Sequence, residues 1–399
     1  MTPAFDLIVV GGGLVGLSTA FQAIKANPNI RLAVLEKENV VSLHQSSRNS
    51  GVLHAGLYYP PGSLKARLCV AGKIEVEEFA ERHDIQIERN GKLVVAVDQS
   101  ELSYLDTIFD HACANGVVGA KKVSQAEMRE IEPAVQGLAA IHSPTTAVLD
   151  FSAVARALAN EITKRGGLVV TGAEVNAIRE RTDAVVVSST AGDFESLQLI
   201  TCGGLQSDRL AAMTHGRSPV SIVPFKGSWY ALSSRANSLC RGNIYPVPDP
   251  GAPFLGVHVS RRIDGSVWVG PNATLAGSRE RYDGRPDLRD LKGIVASRGF
   301  RKFARRNVSV GLREMLDDRS RRFYLGRVRK YLPDVERVDL EEKHMGIRAQ
   351  AISRDGSLVE DFLIHGKGRV AHVLNAPSPA ATSCLAIGRH VLRQIGTSQ

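Results

Sequence analysis

Phe5-Asp6-Leu7-Ile8-Val9-Val10 runs without a break into Gly11-Gly12-Gly13-Leu14-Val15-Gly16, and a second apolar run, Leu32-Ala33-Val34-Leu35, ends in Glu36. Few patterns constrain a chain more. A buried strand enters a glycine turn, and the helix predicted from Leu14 to about Ala26 aims its positive N-terminus at whatever sits in that turn. Gly11 permits the turn, Gly13 removes a side chain that would block a pyrophosphate, and Gly16 lets the helix pack closely on the strand. Glu36 follows the last glycine by about 20 residues, where an acid can accept hydrogen bonds from ribose hydroxyls and disfavours a 2'-phosphate. A glycine turn with no ligand is the plain alternative, and the strand, helix and acid together argue against it.

The remaining sequence indicates more than one nucleotide-facing segment. With 399 residues and 43% hydrophobic content, the chain can bury two cores, so two domains are expected. Strand-like sequence resumes at Leu168–Thr171, Val185–Ser189 and Leu197–Ile200, the last entering Thr201-Cys202-Gly203-Gly204 as a second nucleotide contact that includes Val175 upstream. Phe151–Arg165 reads as an amphipathic helix. Glu88–Val97 reads as a hairpin arm turning at Asn90-Gly91, and Ile222–Gly270 as strand-rich, with turns at Pro248-Asp249-Pro250-Gly251 and Asp264-Gly265. The run Val370–Asn375 meets Ala376-Pro377-Ser378-Pro379-Ala380-Ala381-Thr382 before a final helix, giving a second helix terminus suited to a reduced flavin's negative charge. This interleaved order favours FAD over NAD.

Other features narrow the class. No apolar run reaches roughly 18 residues and no charged-then-apolar leader is present, so neither a membrane span nor a secretory signal is expected. Cys69, Cys113, Cys202, Cys240 and Cys384 form no CxxC pair, which points to reduced thiols in a cytoplasmic protein and to no metal site. The net charge of +9 is concentrated in Arg298–Arg306 and Arg319–Lys330. A solvated helical face is the plain reading of these segments, and a peripheral contact of 298–330 with the inner face of a membrane is the alternative. No recognition module accompanies the bases, so nucleic acid is not an expected partner.

The segment His44-Gln45-Ser46-Ser47-Arg48-Asn49-Ser50-Gly51-Val52-Leu53-His54-Ala55-Gly56-Leu57-Tyr58-Tyr59, with Gly62-Ser63-Leu64-Lys65-Ala66-Arg67-Leu68-Cys69, resembles the L-2-hydroxyglutarate dehydrogenase or oxidase family of D-amino-acid-oxidase-like flavoproteins. Further blocks follow in family order, among them Gly204–Arg209, Tyr245–Pro250, Phe254–His258, Gly270–Ala273, Gly346-Ile347-Arg348-Ala349-Gln350-Ala351 and Asn375–Ser383. Pro224-Phe225-Lys226-Gly227-Ser228-Trp229-Tyr230 departs from the family's usual Pro-Phe-Arg-Gly-Glu-Tyr-Tyr, and Arg298–Arg306 lacks its apolar Phe-Pro-Gly-Phe-Trp character.

The resemblance implies an α/β fold in which a Rossmann-like FAD-binding domain (1–85, 145–215 and 340–399) interleaves with an antiparallel-sheet substrate domain (86–144 and 216–339, with a basic helical segment at 285–332). It implies oxidation of a 2-hydroxydicarboxylate to the 2-oxo acid, with electrons passed to quinone, oxygen or an electron-transfer protein. The expected FAD contacts are Gly11, Gly13, Leu14, Val15, Gly16, Glu36, Lys37, Ser47, Arg48, Asn49, Ser50, Gly51, Val175, Cys202, Gly203, Ser378, Pro379, Ala380, Ala381 and Thr382. The hydroxyl proton needs a base, and a neutral imidazole suits that task. His54 is the first candidate, with His258 approaching from the substrate domain. Arg348 is expected at the carboxylate beside the reacting carbon, and Tyr58, Lys65 and Arg261 elsewhere on the substrate. A malate-like hydroxy acid or an amino acid as substrate, or a flavoprotein without turnover, are the competing readings.

Overall fold

The computed structural model describes residues 4–249, 255–308, 311, 318 and 320–396. Arg319, and the turn positions Pro250 and Gly251, lie outside the described residues.

Strand Phe5–Val10 is buried along its last four residues and pairs in parallel with both Leu32–Leu35 and Gly192–Thr201. The helix between the first two strands spans Leu14–Ala26 and ends at Asn27, whose amide donates to the Ala23 carbonyl just ahead of Pro28. Leu17, Phe21 and Ile24 pack into a core shared with helices Phe151–Lys164 and Cys384–Gly396. Gly388 makes that contact close, because a Cβ there would fall 2.7 Å from the Ser18 backbone. Replacing a fully buried leucine such as Leu17 by alanine costs about 2–5 kcal/mol.

These elements belong to an eight-stranded sheet ordered Val175–Glu180, Val185–Ser189, Gly192–Thr201, Phe5–Val10, Leu32–Leu35, Leu168–Val170, with Val370–Asn375 and Leu363–Lys367 joined through Gly192–Thr201. A nine-stranded sheet forms the second layer. Its path is Thr274–Leu275, Val220–Leu232, Val267–Gly270, His258–Arg261, Asn243–Pro246, Lys92–Ala96, Ala139–Ser143, Lys121–Ser124, and Leu340–Ser353 pairs with Val220–Leu232. Most pairs are antiparallel, but Asn243–Pro246 and Lys92–Ala96 run parallel.

Two expectations change. Leu340–Ser353 forms twelve register pairs from Val220↔Ser353 to Leu232↔Leu340, so residues 340–353 belong to the second sheet rather than to the nucleotide sheet. Asn90-Gly91 is not a hairpin turn. Ile87–Glu88 pairs with Ala147–Leu149, whereas Lys92–Ala96 pairs with Asn243–Pro246 and Ala139–Ser143, so the chain changes sheets there. Gly91 makes the change of direction with a φ of +70°.

Arg298–Arg306 is a helix, as its spacing predicts, and so is Arg321–Val328. Phe300 and Phe303 pack inward against Phe225 and Ile352, leaving Arg301, Arg305 and Arg306 outside. No helix among the described residues is long and apolar enough to cross a membrane.

Candidate active site

The glycine turn is held by mutual contact of three backbones. Gly11 has φ +112°, and a Cβ on it would stand 2.4 Å from the Cys202 carbonyl oxygen; a Cβ on Gly16 would stand 2.0 Å from the Gly11 carbonyl oxygen. Gly13 faces the Ser46 hydroxyl, which accepts a hydrogen bond from the Leu14 amide at 3.0 Å. The buried Glu36 carboxylate accepts from the Gly12 amide at 2.6 Å and from the Glu38 amide at 2.9 Å. A carboxylate has about four lone-pair directions, so this fastening leaves capacity for ribose hydroxyls.

Two other segments close on the same space. Cys202 follows Gly192–Thr201, and its amide donates to Val10. The turn 376–383 lies between strand Val370–Asn375 and helix Cys384–Gly396. Its Thr382 hydroxyl accepts from the His54 amide at 3.0 Å, tying the tail of the chain to the segment that carries a candidate base. A cavity of about 1010 Å³ runs between them, at the upper end of the range for small-molecule sites.

Along one part of this cavity lie Gly11, Gly13, Leu14, Val15, Glu36, Lys37, Arg48, Asn49 and Ser50; along another, Val175, Cys202, Gly203 and Ser378 to Thr382. His54, Tyr58, Lys65, His258 and Arg348 line it as well. The glycine turn, packed backbone to backbone at Gly11 and Gly16 and without a side chain at Gly13 where it lines the cavity, fits the pyrophosphate of a dinucleotide.

Some expected residues do not reach the wall. Gly16 acts through the Gly11 carbonyl. The Ser47 hydroxyl donates back to the Leu43 and His44 carbonyls, and Gly51, at φ +75°, turns the chain into Val52–Leu53. Arg261 is a clear correction. It lies three residues beyond His258 on one strand, so the two side chains point to opposite faces. Its guanidinium donates to the Cys240 carbonyl at 3.2 Å and stands 3.9 Å from Glu88.

The electrostatics of the wall are unusual. Burial holds the His54 ring neutral, well below the ordinary histidine value, with positive Lys92 nearby adding to the effect. Burial also takes His258 down to about 3. The His258 Nδ1 lies 2.9 Å from the Gly256 carbonyl oxygen, an acceptor only, so in the neutral ring Nδ1 carries the proton and Nε2 the lone pair. The His54 ring makes no hydrogen bond with a described residue. Arg348 is half-buried and is drawn down to about 10 by desolvation at the cavity wall, and remains a cation at neutral pH. Burial lowers Lys65, opposed by Asp361 and Glu360.

Three contributors escaped the sequence reading. Tyr245 stacks on His258 with ring centroids 3.9 Å apart, and Trp229 also lines the cavity. Lys92 lies just behind the wall. The first two stand in strands whose alternation shows a buried face without showing what it faces. Lys92 had a signal, as the single charge at the head of the apolar run Leu93–Val97.

Glu38, His44 and Glu280 bring ligand-type atoms within 4.8 Å of one another, but the Lys37 ammonium already bonds both carboxylates. That group is an ionic tie across the cavity rim.

A model of the FAD dependent oxidoreductase family matches residues 6–394. The chain belongs to the FAD-dependent oxidoreductase family. It is 42% identical over 393 residues to the L-2-hydroxyglutarate dehydrogenase of Salmonella houtenae, covering 98% of this chain and 93% of that one. It is 40% identical over 418 residues to the mitochondrial L-2-hydroxyglutarate dehydrogenase of Homo sapiens, covering 99% and 89%. The resemblance read from the sequence motifs is thus borne out across nearly the whole chain. Among solved folds, this FAD-dependent oxidoreductase is similar to the FAD-bound L-alpha-glycerophosphate oxidase of Mycoplasma pneumoniae, with TM-score 0.80, 20% identity, and coverage of 98% and 94%. It is also similar to the glycine oxidase of Geobacillus kaustophilus, with TM-score 0.73, 20% identity, and coverage of 100% and 96%.

Proposed function

We propose that this chain oxidises L-2-hydroxyglutarate to 2-oxoglutarate. The observation that carries the reading is one continuous cavity whose glycine cradle suits a dinucleotide and whose other wall holds a half-buried guanidinium and two neutral imidazoles. The relatives' named activity supplies the particular hydroxy acid. FAD, held by Gly11–Val15, Glu36, Cys202 and Ser378–Thr382, supplies a two-electron acceptor for the hydrogen on C2.

The residues then divide the work. Arg348 presents its fork to the carboxylate next to C2, a geometry that suits a planar anion. His54, neutral and with neither ring nitrogen hydrogen-bonded to a described residue, takes the hydroxyl proton as the C2 hydrogen leaves with its electron pair. His258, locked by Gly256 and stacked on Tyr245, orients the hydroxyl. Lys65 meets the distal carboxylate. Quinone, oxygen or an electron-transfer protein receives the electrons. At the surface, the inward packing of Phe300 and Phe303 favours a solvated charged face over peripheral membrane contact.

The test is an anaerobic visible spectrum titrated with L-2-hydroxyglutarate, D-2-hydroxyglutarate and L-malate in turn. Bleaching of the flavin band by the L-hydroxyglutarate alone is expected, and bleaching by L-malate after neither hydroxyglutarate has had an effect would move the reading to a malate-like substrate. The speed of recovery in air then sorts oxidase from dehydrogenase.

A further inference from the structure

Lys92 is 2% exposed, and its ammonium nitrogen has no hydrogen-bond partner among the described residues. Such a group is costly to bury and calls for a reason. Its surroundings are aromatic: the nitrogen stands 4.0 Å from the ring centre of Tyr245 and 5.0 Å from that of Tyr58, two residues that line the cavity. Lys92 pairs with Asn243, and Tyr245, two residues along that strand, carries His258 against its ring. Lys92 and His258 therefore reach Tyr245 from the strands on its two sides. The Tyr58 hydroxyl is buried and equally without a hydrogen-bond partner among the described residues.

We propose that Lys92 is a specificity-determining positioning residue: from one aromatic layer behind the wall it supplies the additional positive charge that selects a dicarboxylate over a monocarboxylate. The proposal rests on this cavity being the substrate site. The Tyr245 hydroxyl is engaged with Ser260 at 3.4 Å and the Tyr58 hydroxyl is buried, so the charge acts on the substrate by attraction across this aromatic layer.

The groups facing Lys92 are Tyr58 and His54 from segment 54–58, Cys69 from helix Leu64–Arg82, and Tyr245 and His258 from the neighbouring strands. None is an anion at neutral pH, since burial raises both tyrosines and Cys69 and keeps both histidines neutral. Burial accordingly takes Lys92 down to about 7. A dianion entering the cavity favours the charged form, so binding draws in a proton from solvent when the pH lies above that value.

The experiment measures dissociation constants on the oxidised holoenzyme by flavin absorbance, with 2-oxoglutarate as the dianion and 2-oxovalerate as the monoanion of equal chain length. In Lys92→Met, 2-oxoglutarate should bind about tenfold or more weakly at pH 7, with 2-oxovalerate within about twofold of the parent protein. Equal loss for both ligands, or loss for neither, would overturn the proposal. The parent protein gives an answer even where the variant does not fold. Between pH 7 and 8.5 the 2-oxoglutarate affinity of the parent protein, and of a Lys65→Met variant that lacks the other lysine at the cavity, should fall relative to 2-oxovalerate, and a common pH course for the two ligands in either protein overturns the idea. Flavin reduction by L-2-hydroxyglutarate, run alongside, separates failure of this proposal from failure of the substrate reading.

Discussion

His54 and His258 differ in what holds them. His258 is fixed through its ring, by Gly256 at Nδ1 and by Tyr245 across its face; His54 is fixed through its backbone, by Thr382 and by the Cys69 thiol on its carbonyl. Replacing them should therefore produce different failures. His54→Gln should slow flavin reduction about 100-fold or more at saturating substrate, with FAD still bound, because a general base contributes about that much. His258→Gln should mainly raise the KM. Rapid-mixing absorbance under anaerobic conditions reads both, and near-normal reduction by His54→Gln would transfer the role of base to His258.

At the scale of elements, the sequence was most legible where local pattern and tertiary role coincide. The helix predicted from Leu14 to about Ala26 spans those residues, since glycines precede it and Asn27-Pro28 ends it. Val185–Ser189 and Phe151–Lys164 also fall where their periodicity puts them. What failed was partner choice. Nothing local distinguishes a hairpin at Asn90-Gly91 from a crossing between sheets, and Leu340–Ser353 meets a partner more than a hundred residues earlier. Arg261 is a different failure, because its odd offset from His258 was in the sequence and placed it on the far face. The Gly11–Gly16 contact yields a sharp prediction. Gly16→Ala puts a methyl 2.0 Å from the Gly11 carbonyl, and overpacking of about 1–3 kcal/mol corresponds to roughly 5- to 150-fold weaker FAD retention. The ratio of flavin to protein absorbance after gel filtration measures it, and an unchanged ratio would show that the turn can relax.

For the whole molecule, the two histidines held neutral at the cavity wall make stability depend on pH. The ring pKa values of His54 and His258 lie below the unfolded value, so between those values and about 6.5 the unfolded chain binds more protons. Their contribution is fully present above pH 6.5 and is lost as the pH falls towards about 3 for His258. Thermal unfolding of the parent protein should move to lower temperature between pH 7 and pH 5. The double variant His54→Gln, His258→Gln should show a smaller drop over the same interval, and an equal drop would assign the acid sensitivity to other groups.

The tie between Thr382 and His54 has a consequence for how the molecule is made. The cavity wall draws on Gly11, Ser46, Cys202, Arg348 and the turn ending at Thr382, so a ribosome must reach residue 382 before the wall is complete. A shorter chain has its glycine turn packed on Cys202 but lacks the part of the wall that the turn 376–383 supplies. Cofactor capture then waits on residue 382, and a chain cut before the turn 376–383 should retain no flavin.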